Sequence, residues 1–142
     1  MGEPDHPDPA QARDIEGRAE IVVFVDSFYT KVRKDAILAP IFALRVKDDE
    51  WQWHLNRMYD FWYLILFYEG SYGGNPLAKH TSLPLEPVHF DRWLTLFDES
   101  IDECFNGPVA SKAKTLVVQI AAKFKDKLAE RNPAFQKHTA DP

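Results

Sequence analysis

Apolar residues recur at helical spacing in four long stretches of this chain, and no run alternates with a period of two. That pattern restricts the fold to packed helices. In the first stretch Ile21, Phe24, Val25, Phe28 and Val32 step by three or four, which predicts a helix over 17–33 despite its β-branched content. The segment RKDAILAPIF follows, and Pro40 limits it to a short helical turn around 36–39. A second long helix is expected to open at KDDEW, with Asp48 or Asp49 as its cap. It should run to about Tyr68 and stop at Gly70. On that helix His54 shares a face with Met58, Phe61 and Ile65, flanked by Trp51 and Trp62, so the imidazole lies within the apolar stripe. The third helix starts near Pro87, a residue suited to a first turn. It carries Phe90, Leu94, Phe97, Ile101, Cys104 and Phe105, with Trp93 on its flank, and NGP at 106–108 ends it. The last helix is expected over 109–130, with Ala113, Val117, Ile120, Phe124 and Leu128 facing inward. The predicted fold class is all-α.

Between the second and third helices the pattern breaks. A glycine-rich loop, EGSYGGNP, leads into a short helical piece at about 76–81 that carries His80, before prolines at 84 and 87. A histidine on so short a segment is either an ordinary loop residue or a ring that the segment holds in place.

Length and composition narrow the setting. The 142 residues fit one domain, expected over 14–131. Residues 1–13, acidic and proline-rich, read as a disordered tail, and 132–142 as a flexible end. The N-terminus has neither the basic nor the apolar region of a signal peptide. No apolar run reaches the roughly 18 residues of a membrane span. The formal net charge is −5, with no dense basic run, which argues against a nucleic-acid partner. One cysteine, Cys104, excludes an internal disulfide and fits a reducing compartment; on an apolar stripe it reads as a buried, inert thiol. The expectation is a soluble, cytoplasmic monomer.

Familiar catalytic motifs do not occur. The sequence has no CxxC, HExxH, GxGxxG or GxSxG, and no ExxH pair recurs on two helices as a di-iron bundle requires. Asp98, Glu99, Asp102 and Glu103 read as a solvated helix side. What stands out is histidine on two segments embedded in aromatics. Singly, each feature has an ordinary explanation: His54 as a hydrogen-bonded core histidine, His80 as a surface one, Tyr29 as a half-buried tyrosine, Trp93 as core.

Together they resemble a known family. FYTKVRKDAILAPIF (28–42), WQWHLNRMYDFW (51–62), YGGNPLAKH (72–80) and HFDRWLTLF (89–97) occur in order and at the right intervals, and the chain resembles the truncated hemoglobins of group III from about Ala19 to Phe124. The resemblance implies a truncated globin fold, a two-over-two helical sandwich around heme b (iron protoporphyrin IX). It implies that His80 is the proximal iron ligand, its other ring nitrogen tied to a carbonyl or water. Tyr29, His54 and Trp93 match the distal polar positions that hydrogen-bond a heme ligand and carry the chemistry. Phe42 matches the phenylalanine that packs flat on the porphyrin. Phe28, Met58, Phe61 and Trp62 line the pocket or the core beside it, with Met58 one turn after His54. Arg57 and Lys79 are candidates for the heme propionates, or else solvated charges. Trp53 has no assigned role.

The implied ligands are oxygen, nitric oxide, carbon monoxide, cyanide or peroxide. Tight hydrogen bonding of oxygen makes a poor carrier, so the expected function is redox detoxification, by nitric oxide dioxygenation or peroxidase-like chemistry, with electrons from an external reductase. The alternatives are a heme-based ligand sensor or store without turnover, or an electron-transfer protein should His54 itself ligate the iron.

Overall fold

The structure, a computed structural model, describes residues 13–68 and 85–130. Its elements are α1 (Arg18–Lys34), the short α2 (Ala39–Ala43), a single 3₁₀ turn (Asp48–Glu50), α3 (Trp51–Phe67), α4 (Pro87–Cys104) and α5 (Pro108–Ala129). Among the described residues there is no strand, only an isolated bridge between Arg13 and Phe105. Two helix pairs make the body: α1 lies on α3, α4 lies on α5, and the pairs meet where α1 packs along α4 and α3 touches α5. This is the all-α fold expected from the four stripes, in the two-over-two arrangement that the family resemblance implies. The expected tails fall outside the described residues apart from Arg13, whose carbonyl accepts the Asn106 N–H at 3.1 Å. The expected short helix at 76–81 and the stop at Gly70 also lie outside them.

Burial follows the stripes on three of the long helices. Ile21, Phe24, Val25, Phe28 and Val32 of α1 are buried, as are Phe90, Phe97, Ile101 and Cys104 of α4 and Ala113, Val117, Phe124 and Leu128 of α5. Burial pushes the Cys104 thiol above its usual value, as an apolar environment does.

Helix α3 departs from its expected register. Its buried side chains are Trp51, Tyr59, Trp62 and Leu66, while His54, Met58, Phe61 and Ile65 are half-buried. The reason is packing. Trp62 stacks on Phe97 of α4 at 26° with centroids 5.0 Å apart, and meets Phe24 of α1 edge-on at 5.6 Å. Tyr59 donates a short hydrogen bond to Asp26 of α1. The His54 face is turned from that helix–helix contact towards a cleft.

Two corners also differ from expectation. Pro40 lies inside the first turn of α2 rather than ending a turn before it; a first-turn residue has no intrahelical partner for its N–H, so proline starts a helix there instead of breaking it. Neither Asp48 nor Asp49 caps the next helix. Glu50 accepts the Lys47 N–H at 3.0 Å instead, and the two aspartates lie within the 3₁₀ turn that precedes Trp51. At the other end of α3, Tyr68 adopts a left-handed conformation (φ 59°), and Lys112 of α5 donates to the Leu66 carbonyl and to the Tyr68 hydroxyl, both at 3.2 Å.

Long-range polar ties fix the frame. Asp14 accepts the Val109 and Ala110 N–H groups at 2.9 and 2.8 Å, supplying the start of α5 with acceptors from far upstream. Gly107 makes room for this contact. Its φ is +151°, and a Cβ there would lie 2.5 Å from the Asp14 carboxyl carbon.

Candidate functional site

A cleft opens between the two helix pairs, lined by residues of all five helices, and concave, mostly apolar clefts are where small molecules and cofactors bind. Each wall is built by elements already described. Helix α1 contributes Phe28 and Tyr29, the α2 region Leu38, Ile41 and Phe42, and α3 Met58, Phe61 and Trp62. The opposite side comes from Leu85, His89, Phe90, Trp93 and Phe97 on and before α4, and from Ile120 and Phe124 of α5. The lining is thus almost entirely aromatic and aliphatic. The lining residues carry few polar side-chain groups: the Tyr29 hydroxyl, the indole N–H groups of Trp62 and Trp93, and the His89 imidazole.

The corner that presents Leu38, Ile41 and Phe42 is held by one carboxylate. Asp35, which follows α1, accepts the Ile37 and Leu38 N–H groups at 3.1 and 3.0 Å, and Arg92 Nε of α4 at 2.6 Å. Burial pulls the Asp35 carboxyl upward, but the hydrogen bonds from Arg92, Leu38 and Ile37 and the charge of Arg92 outweigh it and leave it below its ordinary value. Asp35 therefore ties α1, the α2 corner and α4 together beside the cleft.

The aromatic rings interlock. Phe28 meets Tyr29 at 4.8 Å, Phe97 at 5.6 Å and Trp93 at 6.3 Å, each edge-on. Trp93 also lies 6.2 Å from Phe124 of α5. Tyr29 meets Phe42 edge-on at 5.9 Å and His54 edge-on at 5.0 Å. Edge-to-face packing of this kind fixes ring orientation as well as contributing burial.

Of the residues singled out in the sequence, Phe28, Tyr29, Phe42, Met58, Phe61, Trp62 and Trp93 line the cleft. His54 sits beside it against Tyr29, half-buried, with its Nε2 shut off from solvent. Arg57 is not brought to the lining; its guanidinium lies 5.0 Å over the ring of Trp53, and Trp53 is 59% exposed. Lys79 and His80 lie outside the described residues. Among the described residues no cluster of histidine, cysteine and carboxylate side chains has the arrangement of a metal site, and no helix is long and apolar enough to cross a membrane.

Sequence reasoning missed the far wall. Phe90, Phe97, Ile120 and Phe124 read as core, because the period of a stripe reports burial and not whether the buried face meets a neighbour or a cavity. Leu38 and Ile41 flank Phe42 in ILAPIF, and that adjacency was the available signal. His89, in the first turn of α4, accepts the Glu86 N–H on Nδ1 at 2.9 Å, so a neutral ring there carries its proton on Nε2.

Such a cleft suits a flat, largely apolar group with a few polar substituents. The comparisons with known proteins agree. The profile of the bacterial-like globin family matches residues 13–129. A group 3 truncated hemoglobin of Campylobacter jejuni is 39% identical over 111 residues, covering 76% of this chain and 87% of that protein. The crystal structure of a group III truncated hemoglobin from Campylobacter jejuni superposes with a TM-score of 0.76 at 35% identity, covering 83% of this chain and 95% of that one.

Proposed function

The chain belongs to the bacterial-like globin family and is a group III truncated hemoglobin, a heme-binding globin of small gaseous ligands, and from that premise we propose that it serves redox detoxification rather than oxygen transport. The group we assign is heme b, and the cleft fits it. Aromatic and aliphatic faces suit a porphyrin plane, and the scarcity of polar atoms suits a site that excludes water. Phe42 would pack on the ring, with Phe28, Met58, Phe61 and Trp62 around it. His80 would hold the iron through a ring nitrogen, and Lys79, with Arg57 at the surface over Trp53, would meet the propionates.

Bound heme supplies an iron that takes up diatomic ligands and exchanges electrons. The chain's own residues supply the rest. Tyr29 Oη–H and Trp93 Nε1–H would donate to a bound ligand that gains negative charge. His54 would donate through its ring N–H, or take a proton on its other ring nitrogen. The surrounding rings keep water out, which strengthens each of these bonds. Donor bonds of this kind contribute about 1–3 kcal/mol each. Two of them would slow ligand release by roughly thirty-fold or more. Slow release is a fault in a carrier and an advantage when the held ligand is to react with nitric oxide or to be cleaved as a peroxide. An external reductase returns the electrons.

The observation that carries this reading is the setting of Tyr29 and Trp93 in a largely apolar cleft, with His54 edge-on to Tyr29. An absorption spectrum of the purified chain, ferric and then dithionite-reduced, with and without carbon monoxide, tests its foundation. A Soret band that shifts on reduction and again on carbon monoxide supports it. A colourless chain that takes up no hemin overturns it. Nitrate formed from nitric oxide and oxygen in the presence of a reductant then separates turnover from storage.

A further inference from the structure

One ring outside the cleft lining touches three of the groups that define the site. Trp51, in the first turn of α3, is 6% exposed. Its indole stacks on Phe42 at 26° with centroids 6.2 Å apart. It stands at 88° to the His54 ring at 5.5 Å, and is tilted against Tyr29 at 5.8 Å. On its outer side the Arg33 guanidinium lies 4.6 Å from the indole centroid.

The arrangement is a square drawn by two helices. On α1, Tyr29 and Arg33 are one turn apart; on α3, Trp51 and His54 are one turn apart. His54 is edge-on to both Tyr29 and Trp51, which also contact each other, so the three rings form a closed cluster. A helical histidine has few staggered side-chain positions, and two aromatic walls this close select among them.

We propose that Trp51 is a positioning residue that holds the His54 ring inward beside Tyr29, and that Arg33 holds Trp51 in turn. The proposal rests on the heme-binding reading above and adds to it the element that sets how His54 controls the pocket. The indole suits the task because it is broad, rigid and buried. Arg33 suits its own because a guanidinium over a tryptophan face is attracted by the ring quadrupole, and because it lies at the surface, where its loss leaves the core packed. Without the indole wall, His54 gains a second orientation, and the pocket gains a second electrostatic state.

The test is a double-mutant cycle on the full chain loaded with hemin, reduced with dithionite and saturated with carbon monoxide. Trp51→Leu and Arg33→Gln are each made with His54 present and with His54→Ala. The readouts are the infrared C–O stretching band and the rate of carbon monoxide recombination after photolysis. With His54 present, Trp51→Leu should split the C–O band and change the rate by roughly three- to ten-fold, with Arg33→Gln giving a smaller change in the same direction. Trp51→Phe, which keeps an aromatic wall, should restore one band. With His54→Ala all these effects should vanish, since no ring remains to be positioned.

Effects that persist at full size without His54 overturn the proposal, as does an unchanged band and rate in both Trp51→Leu and Arg33→Gln. Should Trp51→Leu not fold, the Arg33→Gln cycle decides alone. An unmodified chain with no Soret band after hemin addition overturns the heme reading, and this proposal with it, before any variant is compared.

Discussion

The ring of His54 stands at 88° to the ring of Tyr29, with centroids 5.0 Å apart. The two side chains come from different long helices, α3 and α1. Their contact brings a group that can both give and take a proton against a hydroxyl donor at the edge of an apolar cleft.

This contact frames the first prediction. Tyr29→Phe removes the hydroxyl and keeps the ring that packs on Phe28 and Phe42, so the cleft should retain its shape. Oxygen dissociation measured by stopped flow should quicken by roughly ten-fold for about 1.4 kcal/mol lost. Trp93→Phe should quicken it too. Unchanged rates in both variants would rule these donors out.

Histidine replacement separates the two imidazoles by role. His80→Ala should yield chain that loses hemin to a competing apoglobin much faster than the parent. His54→Ala should keep its hemin and bind carbon monoxide at an altered rate. A change from a six-coordinate to a five-coordinate absorption spectrum in His54→Ala would instead favour the electron-transfer reading, with His54 on the iron.

Asp35 should make the corner beside the cleft sensitive to acid. Its carboxyl lies below its ordinary value in the folded chain, so the folded state binds its proton less readily than the unfolded state does. Its contribution is therefore present above the unfolded value and is lost as pH falls through the lower, folded one. Asp35→Ala should cost about 1–3 kcal/mol at neutral pH in urea titrations. The gap between variant and parent should close in strong acid. A gap that stays constant down to that range would show that the charge is not what holds the corner.

The start of α5 offers a structural test remote from the cleft. Asp14→Ala removes the acceptor for Val109 and Ala110 and should lower stability by about 1–2 kcal/mol. Gly107→Ala should be at least as harmful, because its Cβ would meet the Asp14 carboxyl at a positive φ. Thermal unfolding of both variants checks the pair. A Gly107→Ala chain as stable as the parent would show that the close approach is readily relieved.

Much of this protein is written locally. Helix α4 begins at Pro87 and α5 at Pro108 because proline's fixed φ and missing N–H suit a first turn, and both facts are properties of single residues. The stripes of α1, α4 and α5 announce buried faces because a helix brings every third or fourth residue to one side. Four ordered segments, from Phe28 to Phe97, were enough to mark the family.

Other features arise only when distant segments meet. Asp14 serves helix α5, and Asp35 joins Arg92, across separations that no local pattern encodes. The face of α3 that is most buried was decided by Trp62 settling between Phe24 and Phe97, not by the widest apolar stripe. The cleft itself could not be read in advance. Phe90, Phe97 and Phe124 are apolar whether they face a neighbouring helix or a cavity, and only the way the two helix pairs pack leaves space between them. Sequence periodicity determined which residues turn away from water; the packing of the helices determined which of them surround a site.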